Sequence, residues 1–281
     1  MAFSVVEGEG RTLWCATDGS STYYIGQIVS IVATTKGMTN GTVVPLDTPH
    51  GSADTTHFEI PFGVVVGINN RTPTYGTLGS KKVEYATGVV SSANQIIRDF
   101  TGAEGMYGKG DPQLLVQIAE ITPNTIIRGP FCMSAYGTGL TLQTATSASA
   151  GGGIVAFAAN SSGVVAAGGT PVTLMRTMYC RSGANRGIYR VLVDVSATAP
   201  AVTTAFPYGV AIGDTFVTVP AKQGLSYILI TSGMFIDAAL GQDSSGTNGT
   251  FHVIVYRLNL EADAEWCDFR FLNMHFDNAR A

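Results

Sequence analysis

The sequence predicts an all-β fold, with a small N-terminal β-barrel followed by a C-terminal antiparallel β-sandwich of jelly-roll type. Three observations carry this expectation. Gly is abundant, at 34 of 281 residues, and Thr, Ser, Ala and Val recur throughout. That mixture favours strands and tight turns over helices. Short apolar, β-branched runs follow one another, many of them closed by Gly, Pro, Asn or Asp. No segment of about 20–50 residues repeats, which sets solenoids and propellers aside.

The elements of the first third read in order. "YYIGQIVSIVATT" (23–35) and "GMTNGTVVPL" (37–46) are strand-like, with an Asn40-Gly41 turn signal. "FEIPFGVVVGINN" (58–70) is an apolar run closed by Gly67 and Asn69-Asn70, and "KKVEYATGVV" (81–90) alternates. "ANQIIRDF" (93–100) fits either a strand or a short helix. "PQLLVQIAEI" (112–121) is helical by composition, but Leu115, Ile118 and Ile121 suit both periods, and it is assigned as a strand.

A boundary region follows. From Thr141 to Thr170 the chain is rich in Gly, Ala, Ser and Thr and nearly uncharged. It reads as a flexible linker or as a hairpin. The apolar pairs Ile154-Val155 and Val164-Val165 favour a hairpin turning at "AANSSG" (158–163). The expected division is residues 1–140 as the barrel, 141–170 as the connection and 171–281 as the sandwich. The last third supplies "TPVTLMRTMYC", "GIYRVLVDVS", "GDTFVTVP", "LSYILITSGMF", "TFHVIVYRLNL" and "WCDFRFLNMHF", short strands with turn signals between them.

Composition narrows the function. The chain is 45% hydrophobic and only 13% charged, with a net charge of −4. A typical domain carries about 25% charged residues. No basic run marks a nucleic-acid partner, and no apolar stretch is long enough for a membrane helix. The start "MAFSVVEGEG" lacks the form of a signal peptide. Cys15, Cys132, Cys180 and Cys267 are widely spaced without a C-x-x-C pair, as expected of free buried thiols in a reducing cytoplasm. So few charges fit a surface largely buried against other subunits, or a large monomeric β-protein.

Several motifs invite a chemical reading. Cys180-x-x-Gly183-x-x-Arg186 has the spacing of a cysteine phosphatase loop, in which a thiolate attacks phosphorus and the Arg holds its oxygens. That loop needs a helix starting at the Arg to supply N–H donors. "GIYRVLVDVS" instead alternates as a strand, so "RSGANRG" reads as a hairpin turn, with Gly183 and Asn185 in unusual dihedrals. Asp47, His50, Asp54, His57 and Glu59 gather metal-ligand types within one loop, where nothing fixes their mutual geometry. Asp243 is the only carboxylate of the calcium-loop-like "GQDSSGTNGT". Glu261, Asp263, Glu265 and Asp268 near Trp266 could suggest glycoside chemistry, or an acidic turn leading into the last strand. Trp14, Tyr23, Tyr24 and Tyr75 could stack on a ligand or pack in a core. Asn40, Asn70, Asn160 and Asn248 are sequons, relevant only to a secreted chain. No catalytic, cofactor-binding or metal residue is assigned from these motifs, and no cofactor is expected.

Gly26-Gln27-Ile28-Val29, followed by Gly63-Val64-Val65-Val66-Gly67, resembles the strand pattern of small β-barrel capsid decoration proteins of tailed bacteriophages, over about Tyr23 to Ala135. The resemblance implies a structural virion component on the capsid exterior, made in the host cytoplasm. It implies a homotrimeric cement protein whose partner is the major capsid protein, without enzymatic activity. A glycan-binding module using Trp14, Tyr75 or Trp266, or a tail or adaptor module, is the competing expectation.

Overall fold

In a computed structural model, the described residues are 2–8, 10–17, 22–34, 37–46, 58–69, 89–91, 115–132, 140–156, 177–194, 199–231, 233–238 and 251–272. The first half of the chain forms β1 (Ser4–Glu7), β2 (Thr12–Thr17), β3 (Thr22–Tyr24), β4 (Ile28–Thr34), β5 (Gly37–Pro45), β6 (Phe58–Asn69), β7 (Val89–Ser91), β8 (Leu115–Glu120) and β9 (Ile126–Cys132). The second half forms β10 (Gln143–Thr144), β11 (Thr177–Cys180), β12 (Tyr189–Asp194), β13 (Ala201–Val202), β14 (Thr215–Val219), β15 (Gly224–Ile228), β16 (Ile230–Thr231), β17 (Phe235–Asp237), β18 (Phe251–Asn259) and β19 (Trp266–Phe271). The fold is all-β. Among the described residues the one helical feature is a single 3-10 turn at Gly183–Asn185.

Strands β2, β5, β4, β6 and β8 close into a small barrel in that order. Alternation along its wall explains the apolar runs of the sequence. Val29, Val43, Val65, Val116, Ile118 and Tyr23 fill the interior. Their neighbours Ile28 and Val64 point outward, into a second apolar core. A wall buried on both faces reads as a continuous hydrophobic run rather than an alternating one. Tyr23 is wholly buried, and its hydroxyl donates to the Val43 carbonyl at 2.7 Å. The 112–121 segment, helical by composition, is strand β8, because its pairing with β2 and β6 closes the barrel.

Apart from the separate β3–β7 pair, the remaining described strands form a sandwich-like pair of sheets. A seven-stranded sheet runs β15-β18-β19-β9-β17-β16, with β1 also paired to β9. It is antiparallel except for the β17–β9 pair. Only Leu229 separates β15 from β16, which stand at opposite ends of this order. The sheet must therefore curl until its ends meet. Opposite it lies a five-stranded sheet, β10-β14-β11-β12-β13. Tyr179, Val217 and Val219 of this sheet face the large core shared with Phe131, Val253, Val255, Cys267 and Phe269. Met178, Cys180 and Phe216 face away, into a smaller cluster with Ala145, Val155, Phe206 and Val210.

The sheets do not divide the chain at residue 140. Strands β1 and β9, both before that position, pair into the sheet otherwise built from β15–β19. The large core also joins Ile28, Leu46, Val64 and Ile121 of the barrel region to the sandwich residues. Two glycines let the backbones meet at this junction. The Gly26 carbonyl (φ +81°) accepts from Phe3 N–H of the N-terminal segment at 2.9 Å, and the Gly233 carbonyl (φ +65°) accepts from Ile28 N–H at 2.8 Å. A Cβ on Gly233 would overlap the Ile28 carbonyl oxygen.

In the Gly/Ala/Ser/Thr-rich region, the described residues reach Ala156, with Gln143, Ala145 and Val155 buried among more exposed neighbours. Val155 is buried, and Ile154 bridges to Ala201. The turn expected at 158–163 lies outside the described residues, as do the 93–100 segment and most of 81–90.

Candidate functional site

Two motifs that are far apart in the sequence meet in space. Strand β11 ends at Cys180, and the loop from it to β12 carries Arg181, Gly183 and Arg186. The turn between β18 and β19 carries Glu261 and Glu265. Arg181 Nη2 donates to Glu265 Oε1 at 2.6 Å, and its Nε donates to the Leu260 carbonyl at 2.8 Å. Tyr179 Oη donates to Glu261 Oε1 at 2.6 Å, and Arg186 pairs with Glu261 Oε2 at 3.6 Å. Alternation on β11 explains the arrangement: Tyr179 points toward the other sheet while Cys180 points away from it.

This is not the geometry of a phosphatase loop. β11 and β12 pair antiparallel, so the segment after Arg186 is a strand, as its alternation predicts. The Cys180 thiol is buried and donates to the Ser182 carbonyl at 3.0 Å. Burial, reinforced by the charge of Asp214, pushes its pKa up to about 11, so at neutral pH it is a thiol and a poor nucleophile. Arg186 faces a carboxylate of its own chain rather than an anion site. The turn chemistry differs from expectation in one respect. Gly183 (φ +72°) and Gly187 (φ +85°) take the left-handed conformations, and Asn185 does not. Asn185 is instead fully buried, its amide donating to Tyr208 O at 2.9 Å and accepting from Tyr208 N–H at 3.1 Å.

The buried carboxylate of β19 is engaged too. Asp268 is wholly buried and receives Arg128 through two bonds of 2.8 and 3.0 Å. Arg257 Nε reaches its second oxygen at 2.7 Å. These three side chains stand opposite one another in the register of β9, β19 and β18. The Arg128 guanidinium lies 3.6 Å from the centre of the Trp266 ring, covering one face of the aromatic expected to stack on a glycan. Asp263 projects from the turn at φ +60°. Glu261, Glu265 and Asp268 are thus each held by arginine, and none is arranged as a free acid–base pair.

The other candidates separate. Tyr23 is barrel core, and Tyr24 packs beside Cys132, Met234 and Phe235. The side chains of Trp14, Glu59 and Asn40 lie outside the described set. So do Asp47, His50, Asp54, His57, Asn70, Tyr75, Asn160, Asp243 and Asn248. Among the described residues no group of three or more His, Cys, Asp or Glu could hold a metal ion, and no helix is long and apolar enough to cross a membrane. All four cysteines are free and buried.

Sequence reasoning did not find the Arg128–Asp268–Arg257 row. Its signal was a charge of either sign set between buried apolar neighbours, as in Cys267-Asp268-Phe269, but the partners depend on strand register. No family model matches this chain, and neither a curated protein nor a solved structure matches it.

Proposed function

We propose that this chain is a structural virion protein, a capsid decoration or cement protein that binds between major capsid subunits. The observation that carries the reading is where the few charges go. Arg11 pairs with Glu120, Arg128 and Arg257 with Asp268, Arg257 also with Glu7, Arg181 with Glu265, and Arg186 with Glu261. These contacts fasten the chain to itself. Meanwhile Ile25, Val66, Leu142, Ile154, Tyr208 and Ile212 stand between 45% and 70% exposed. A protein that works by covering neighbouring subunits needs broad uncharged surface on a rigid β-scaffold, and no reactive centre. The strand pattern of Gly26–Val29 and Gly63–Gly67 supports the same reading, since both segments build the closed barrel.

The test is cryo-electron microscopy of the particle whose genome encodes the chain. Density for the barrel and sandwich on the outer capsid surface, at contacts between major capsid subunits, is expected. Density confined to the tail or collar, or its absence from the particle, would refute the decoration role.

A further inference from the structure

Strand β1 lies off the main path of the seven-stranded sheet, and its partner there is β9. Ser4 stands opposite Arg128, Val5 opposite Ile127 and Glu7 opposite Ile126, with a slip in register between Val5 and Glu7. Ser4, Val6 and Glu7 are exposed, and Val5 is half-buried. The buried side chain comes just before the strand. Phe3 is 2% exposed and meets Phe269 edge to face, with ring centres 6.2 Å apart. Two glycines from different parts of the chain make room for it. A Cβ on Gly129 would overlap the Phe3 ring, and a Cβ on Gly26 would overlap the Ala2 side chain. The Gly26 carbonyl also accepts from Phe3 N–H at 2.9 Å. Gly26 precedes barrel strand β4, whereas Gly129 and Phe269 belong to the sandwich, so the slot lies where the two meet.

We infer that residues 2–7 form a detachable clasp, and that the slot at Gly26 and Gly129 accepts the same segment from a second copy of the chain. The segment is held by one strand edge and one buried anchor. Its ion pair, Glu7 with Arg257 at 3.3 Å, is more than half exposed on both sides and contributes little. Strand β9 keeps its pairing with β19 and β17 when β1 leaves, so the clasp opens without taking the sheet apart. Opening bares the β9 edge at Ile126–Arg128 beside a slot shaped for a phenyl ring. Backbone pairing beside a side-chain pocket is how a sheet edge recognises an extended peptide. The occupant follows from what already fits: residues 2–7 of an identical chain make the same pairs and fill the same slot, which is the basis of segment exchange between copies. Within one chain the clasp competes at an effective concentration of roughly millimolar, so exchange belongs to crowded copies. The inference does not depend on the decoration role.

The test supplies the segment in trans. A fluorescent peptide of residues 2–8 (AFSVVEG) is titrated by anisotropy against the full chain and against full-length Phe3→Ala. The Phe3→Ala chain, whose own anchor is gone, should bind the peptide at least about tenfold more tightly than the wild type, where the resident clasp occupies the slot. A peptide carrying Phe3→Ala should bind that chain at least about tenfold more weakly than the native peptide, because one anchor carries most of the energy. Thermal midpoints establish that the variant is folded. Where it is not, hydrogen exchange on the wild type decides: the Phe3 amide should exchange at least about tenfold faster than the Ile28 amide bonded to Gly233. Val5→Cys and Ile127→Cys, placed in separate copies and mixed at about millimolar concentration, should give a disulfide-linked dimer on mild oxidation. No peptide binding to a folded Phe3→Ala chain, equal binding of the two peptides, or equal protection of the Phe3 and Ile28 amides would overturn the clasp. Absence of the mixed dimer would overturn the exchange between copies.

Discussion

The Tyr179 hydroxyl donates to the Glu261 carboxylate at 2.6 Å, tying the centre strand of one sheet to a hairpin turn of the other. Beside it, Arg181 and Glu265 form a pair at 2.6 Å in which both side chains are 11% exposed. The large apolar core holds the sandwich together, and these contacts fix how its two sheets meet at one end.

Removing one member of the tighter pair should show this. Glu265→Ala leaves the Arg181 guanidinium nearly buried without its carboxylate, and a cost of about 3 kcal/mol is expected. Arg186→Ala breaks a mostly exposed pair and should cost under about 1 kcal/mol. Urea denaturation of both variants checks the ordering. Equal costs would mean that burial does not set the strength of these contacts.

The junction between barrel and sandwich depends on Gly233. Alanine there meets an unfavourable left-handed backbone and the Ile28 carbonyl together, so a loss of at least about 1–2 kcal/mol is expected. Gly153→Ala is the control, since its Cβ would meet nothing within 4 Å and its φ is not left-handed. That substitution should be neutral or slightly stabilising. Thermal unfolding of the two variants gives the comparison.

Alkaline stability follows from buried acidic protons, those of Cys15 and Cys267, both raised by burial, and those of two further groups. Burial, then the Glu261 hydrogen bond, pushes Tyr179 from 10.0 up to about 12, and burial pushes Cys180 from 9.0 up to about 11. The folded chain therefore holds both protons more tightly than the unfolded chain does. That contribution is complete below the unfolded pKa values and is lost as pH rises through the folded ones. Stability should fall between about pH 9 and 12, and Tyr179→Phe should flatten the upper part of the decline. Cys180 should also resist alkylation at neutral pH in the folded chain. Rapid stoichiometric labelling would contradict its buried, protonated state.

The local features were legible in the sequence. Alternation in Gly187–Ser196 and the glycines of "RSGANRG" sufficed to identify a hairpin, and the apolar runs around Val29 and Val65 to identify barrel strands. What was hidden is long-range. Nothing near Ile126–Cys132 shows that this strand leaves the barrel region to pair with β19 and β17. The pairing rests on Arg128 meeting Asp268, 140 residues later. Asn185 was legible as a turn residue, but its bonds to Tyr208 depend on a loop that only tertiary packing brings near. The acidic turn at 261–265 looked like a candidate site because its arginine partners come from another sheet.

Washing intact particles at low and at high ionic strength, and measuring the retained chain, tests the structural role most directly. At about 1 M salt the screening length falls to about 3 Å, so attachment by exposed charges would be lost. Attachment through uncharged, apolar surface should persist, because burying such area contributes about 25 cal/mol per Å² whether or not salt is present. The account predicts undiminished retention at high salt. Release of the chain at high salt, or its absence from particles at low salt, would contradict it.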